Sequence, residues 1–321
     1  MSPTGPEGLR ILASGLFDHA GTFPPAALPF DEALAKAAVF PERLVRPWLV
    51  AADLVVTMAQ LAELDADRLR AAGFREGRML RWVVLGPVLK PDGPAAVHAD
   101  LLAWLAAPSN PLFPQVVASY EVRVTCRPGA IGWLPEALAP MVSVLADRGI
   151  RLVVEPDWAP DDWLVGGSQL AECLARMPEP RPLLKVRGSG PTAIDLPALA
   201  HVIALVARHG LGLKATAGLH HPVREERWGN DLGFLSLAAA LRFRQALGKE
   251  GFPDAALLAC LAQDAVPGED AFGFSLDQGL AWRTWSVDSL ALARIVGLQP
   301  FSIGSCSLDE PDADLVRGFG R

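Results

Sequence analysis

Eight short, continuous apolar runs, separated over most of the chain by helix-length segments, predict an α/β protein with parallel strands closed into a (β/α)8 TIM barrel. A second observation narrows the choice. An open doubly wound sheet announces itself by a glycine-rich turn after its first strand, and the turn here reads DHAGTFPPA rather than GxGxxG. The third is a long stretch from Pro222 to Pro300 that interrupts the repeat with helices of its own, between strands seven and eight. The 321 residues therefore read as a single barrel domain over 1–321, with 222–300 a helical insertion that serves as a lid or as an oligomer surface.

Taken in order, residues 9–17 (LRILASGLF) read as strand one, running into Asp18 and His19 and a proline-marked loop. Helix one spans Pro29 to Val39, with Asp31 and Glu32 in its first turn, where carboxylates suit the helix dipole. Strand two is WLVAADLVV, 48–56. Thr57 caps the following helix, 58–73, which stops at Gly73. Strand three covers 81–87, helix three runs from Asp92 to Ala107, and strand four is VVASYEVRV, 116–124. Helix four spans Leu134 to Arg148, strand five 150–156, and a short helix Leu170 to Met177. Strand six (LLKV, from Leu183), a helix from Leu196 to His209 and strand seven (GLKAT) form a βαβ unit, whose two strands must lie parallel and adjacent. The insertion holds the charged loop Arg224, Glu225, Glu226, Arg227, helices at 232–247, 253–263 and 287–296, and Trp228, Trp282 and Trp285. FSIGSCS, 301–307, is strand eight.

Charge and composition exclude several functions. A net charge of −7 and a pI near 5.4, without a basic run, argue against a nucleic-acid surface. No run of 18 or so apolar residues suggests a membrane span, and MSPTGPEGLR lacks the pattern of a signal peptide. The four cysteines are far apart and form no CxxC, as expected of free thiols in a reducing cytoplasm, and the Ala/Arg/Pro/Gly-rich usage suggests a bacterial source. The expected partner is a small-molecule substrate, with no nucleic acid and no membrane, no cofactor and no metal, and the insertion offers a surface for a homodimer.

Lysine is scarce: five of the 29 basic residues, the rest arginine. Two of the five, Lys185 and Lys214, stand at equivalent points of strands six and seven, so they should lie side by side in the barrel. Arginine stays protonated in proteins, whereas a buried lysine can lose its proton and attack a carbonyl. The plainer reading is that both lysines make buried ion pairs, with carboxylates such as Glu155. Function in this architecture collects at the carboxyl ends of the strands. The polar residues there are Asp18, Glu121, Glu155, Arg187, Thr216, His220 and the turn Gly304, Ser305, Ser307. Glu155, Glu121 and His220 are candidates to move a proton. Arg187 and the backbone after strand eight are candidates to hold an anion, although a tight turn built of small residues explains that loop equally well. Glu121 and Arg123 share a side of their strand and read as a structural ion pair.

The runs LLKVRGSG, GLKATAGLHH and FSIGSCSL resemble the last three strands of the deoxyribose-phosphate aldolase family, class I aldolases on a (β/α)8 barrel. The resemblance covers about 40 residues of short motifs. It implies that Lys185 is the Schiff-base lysine, that Lys214 lowers its pKa, and that Gly304, Ser305 and Ser307 form a phosphate-side turn. The chain departs from the pattern at Arg187, where the family has a small hydroxyl residue, at His220, and in the long insertion. Glu121 is the nearest match to the family's acidic proton shuttle. Two other readings remain. A divalent-metal lyase or hydrolase would draw ligands from His220 or His221 with Asp18, His19 and Glu155, although no HxH or HExxH spacing occurs. A non-catalytic barrel would simply bind a small anion. Cys306 is a nucleophile or a small buried thiol.

Overall fold

The structure is a computed structural model, and it describes residues 7–13, 15–43, 53–107, 112–224, 232–263, 272–275 and 279–319. Eight parallel strands close into a barrel. In chain order they are β1 (Phe17–His19), β2 (Leu54–Thr57), β3 (Leu80–Leu89), β4 (Gln115–Val124), β5 (Arg151–Pro156), β6 (Leu183–Arg187), β7 (Gly212–Thr216) and β11 (Phe301–Ser305). Around the ring the order is β1-β11-β7-β6-β5-β4-β3-β2. The fold is therefore a (β/α)8 TIM barrel, with helices between its seventh and eighth strands. Among the described residues β1 pairs with β11 over three residues and with β2 at His19↔Leu54. Lys185 pairs in register with Lys214, as the βαβ argument required.

The outer helices before the insertion are α2 (Phe30–Arg43), α3 (Met58–Ala62), α4 (Ala66–Ala71), α5 (Pro94–Ala106), α6 (Leu134–Ala146), α7 (Pro160–Ala175) and α8 (Leu196–His209). Thr57 does cap α3: its hydroxyl accepts from the Gln60 N–H, and Gln60 accepts from the Thr57 N–H in return. The single helix expected over 58–73 is broken, because Asp65 caps a second start through the Arg68 N–H at 2.7 Å. α7 begins ten residues earlier than expected, at a proline in the first turn followed by Asp161 and Asp162. The first strand is also corrected. Most of 9–17 is a helix, α1 (Glu7–Ala13), and β1 starts only at Phe17. Of strand two as expected, 48–52 lie outside the described residues, and β2 itself begins at Leu54.

The insertion holds α9 (Phe234–Gly251), α10 (Asp254–Leu261), a small antiparallel sheet of β8 (Gly273–Ser275), β9 (Gly279–Trp282) and β10 (Trp285–Val287), and α11 (Ser289–Leu298). α9 and α10 pack on α8, and α11 and the small sheet pack on α1, which leads into the amino end of β1. Arg242 of α9 donates to the Gln299 carbonyl at 2.7 Å, just ahead of β11. Trp282 and Trp285 stack on each other inside this unit, with ring centroids 5.5 Å apart, rather than presenting a bare aromatic face. The described insertion thus runs down the flank of the barrel to its amino-terminal end. Trp228 and residues 225–227 lie outside the described residues. α12 (Asp309–Phe319) follows β11. Among the described residues no helix is long and apolar enough to cross a membrane.

Candidate functional site

Alternation along the strands decides what faces the barrel axis. On β6 and β7 the inward positions include Lys185, Arg187, Lys214 and Thr216. Pairing in register then brings Glu121 and Arg123 of β4, Glu155 of β5, and Asp18 of β1 beside Gly304 to the same interior. The result is a row of alternating charge. Lys214 Nζ lies 2.5 Å from Asp18 Oδ2 and 2.7 Å from Glu121 Oε1. Lys185 Nζ lies 2.5 Å from Glu121 Oε2 and 2.7 Å from Glu155 Oε2. Glu155 Oε1 also accepts from Arg187 Nε at 2.5 Å and has Arg123 at 3.5 Å. Arg123 therefore pairs with Glu155. Glu121, expected to pair with it, instead bridges the two lysines.

Burial of so many charges is tolerable only because each is paired and hydrogen-bonded. For Lys214 burial alone would favour the neutral amine, but Asp18 and Glu121 outweigh it and push the ammonium above its ordinary range. Side by side, the two ammonium groups are expected to couple directly, with one of them depressed by the other; Lys214 is not depressed, because the Glu121 carboxylate stands between them. Glu121 resists burial in the same way and is held down to about 2 by Lys185 and Lys214. Glu155 is lowered by Lys185 and Arg187 against its own burial. Asp18 goes the other way: its burial outweighs the pull of Lys214 and raises its pKa.

Above the row opens a cavity of about 520 Å³. Glu121, Lys185, Arg187, Lys214, Thr216, His220, Gly304 and Ser305 reach its lining, whereas Asp18 and Glu155 stand behind the lysines. Ser307 lines a smaller adjoining cavity of about 240 Å³. The opposite wall is apolar: Ala20, Phe23, Val55 and Leu85, with Val83 beneath. No described residue of 222–300 lines the cavity, so the described part of the insertion gives no support to a lid. The loops after β6 and β7 press together at Gly188, where a Cβ would meet the Ala217 carbonyl oxygen at 2.5 Å. Gly304 leaves room for Thr216, whose hydroxyl would stand 2.9 Å from a Cβ there. The Ser305 hydroxyl donates to the Ser307 carbonyl at 2.5 Å, so it braces the turn.

The proposed metal ligands are drawn apart. Asp18 and Glu155 are committed to lysines, His221 Nδ1 faces Asp314 at 2.8 Å, and burial lowers His19 to about 4. Among the described residues no group of three or more His, Cys, Asp or Glu side chains is placed to hold a metal ion. His220 turns to Cys306, with Sγ and Nε2 3.9 Å apart. The sequence hid that meeting, because the two residues are 86 positions apart and come together only through neighbouring strands. The apolar wall was also missed. Its signal was a set of apolar residues at cavity-facing positions, Val55 of β2 and Val83 and Leu85 of β3.

No protein-family model, no curated protein and no solved structure matches this chain.

Proposed function

We propose that the barrel mouth is the active site of a Schiff-base lyase acting on a small carbonyl compound that carries an anionic group, in the manner of the class I aldolases its last strands resemble. One observation carries the reading: Lys185 reaches the cavity floor with Glu155 2.7 Å away to take its proton and Glu121 2.5 Å away beside it. At rest the amine is ion-paired with Glu121 and Glu155. An anionic substrate drawn to Arg187 competes with Glu155 for that guanidinium. Glu155, relieved of part of its positive surroundings, gains proton affinity and accepts the proton of Lys185. The free amine adds to the carbonyl carbon, water leaves, and the iminium becomes the electron sink for breaking or forming the adjacent C–C bond. Lys214, held charged by Asp18 and Glu121, keeps positive potential beside the developing oxyanion. The apolar wall of Phe23, Val55 and Leu85 takes the carbon skeleton.

Complete pairing of both lysines also favours a second reading, a barrel that binds a small anion without chemistry. Borohydride trapping separates the two. Incubation with a panel of small aldehydes and ketones, reduction and peptide mass spectrometry should place a reduced adduct on Lys185. Lys185→Arg should keep the fold and lose the adduct, since arginine retains the charge and forms no imine. An adduct that persists in Lys185→Arg, or none in the wild type with any carbonyl while anions still bind, overturns the lyase.

A further inference from the structure

The aldolase reading leaves unused the meeting of Cys306 and His220 at the edge of the same cavity. Cys306 Sγ lies 3.9 Å from His220 Nε2, and the other ring nitrogen, Nδ1, lies 3.2 Å from Glu310 Oε2. A carboxylate at Nδ1 favours a proton there, which leaves the Nε2 lone pair turned toward the thiol. The thiol is half-buried and lines both the main cavity and the smaller one beside it, so a small molecule has access to it. The groups facing it are His220 from the loop after β7, Glu310 and Asp309 at the start of α12, and His19 and Lys36 across the smaller cavity.

The other three cysteines provide the contrast. Cys126 is pushed up to about 11, chiefly by burial. Cys173 and Cys260 are buried and raised for the same reason. Burial opposes ionisation at Cys306 too, but the hydrogen bond and charge of His220, with the Ala26 backbone, lower it on balance.

We propose that Cys306 is a second nucleophile of this cavity, with His220 as its base, and that it adds reversibly to the aldehyde carbon of a small anionic compound to give a thiohemiacetal. The proposal rests on the reading above only for the carbonyl class of the compound. In the step a C–S bond forms as the C=O π bond opens. The thiol proton passes to His220 and then to the new alkoxide, and nothing is oxidised or reduced. A hemithioacetal carbon held beside Lys185 would keep the aldehyde within reach of the amine.

The test is alkylation by iodoacetamide across about pH 6 to 10, read by peptide mass spectrometry, with glyoxylate as the aldehyde probe. Cys306 should be labelled first, roughly tenfold faster than Cys126 near neutral pH, with its half-maximal rate below the pH of an ordinary thiol. His220→Asn should remove that excess and move the profile upward. Glyoxylate should slow Cys306 labelling reversibly in the wild type and equally in Lys185→Arg. If Cys306 labels no faster than Cys126, or if His220→Asn leaves its profile unchanged, the dyad is refuted; the comparison among wild-type cysteines stands without any variant. Protection by glyoxylate that is absent from the wild type, or that vanishes in Lys185→Arg, overturns the thiohemiacetal. Vanishing in Lys185→Arg would assign the shielding to an imine on the lysine instead, so the two readings fail separately.

Discussion

Replacing Glu121 by glutamine removes the carboxylate that both buried lysines share while keeping its size. Glu121 is held near 2 against an ordinary 4.5. At about 1.4 kcal/mol per unit, that depression corresponds to about 3 kcal/mol of stability at neutral pH. The figure agrees with the roughly 3–5 kcal/mol lost when one member of a buried ion pair is removed. The sign follows from the direction of the shift. A carboxylate depressed by folding contributes fully above its unfolded value, and the contribution fades as pH falls toward the folded one. The stability gap between wild type and Glu121→Gln should therefore be about 3 kcal/mol near pH 7 and about half that near pH 3. Asp18, raised in the folded protein, pulls the other way in both proteins and largely cancels in the difference. Urea denaturation at the two pH values, with equal m-values, measures the gap. A gap under about 1 kcal/mol at neutral pH, or one that does not narrow in acid, would refute the bridging role.

Two further outcomes follow from other contacts. Lys214→Met leaves Asp18 and Glu121 buried without their shared cation and should cost about 3–5 kcal/mol in the same denaturation assay; adding Asp18→Asn should recover part of the loss, and simple additivity would count against the pairing. Gly8→Ala places a Cβ 1.7 Å from the Gly279 carbonyl oxygen and should destabilise the docking of α1 on the small sheet by about 1–3 kcal/mol while leaving Cys306 alkylation by iodoacetamide unchanged.

The barrel was legible because its strands are short apolar runs between helix-length segments, and the lysine pair because a βαβ unit fixes the neighbourhood of its strands. What the sequence could not carry was which carboxylate meets which cation. Asp18 and Lys214 are 196 residues apart, and only closure of the barrel brings them together. The misplaced first strand has a different cause. LRILASGLF is an apolar run of a length that suits a strand or a short helix equally, and periodicity does not separate the two. The sequence did hold signals for the earlier start of α7, Pro160 followed by two aspartates, and for the break at Asp65. The Cys306–His220 meeting left no local trace, because it depends on two loops that leave adjacent strands.

Among the described residues β1 and β2 share the register pair His19↔Leu54, and the His19 N–H donates to the Asp53 carbonyl. On its other side β1 is fastened by three register pairs to β11 and by the Asp18–Lys214 contact, so β1 and the charged row form one anchored piece. Val55 of β2 stands on one side of the His19↔Leu54 pair, and Ala20 and Phe23, after β1, stand on the other, and all three belong to the apolar wall. The charged floor and the apolar wall are thus held by different means, ion pairs on one side and packing on the other, so a substitution in the wall would reshape the cavity without removing a partner from any charge.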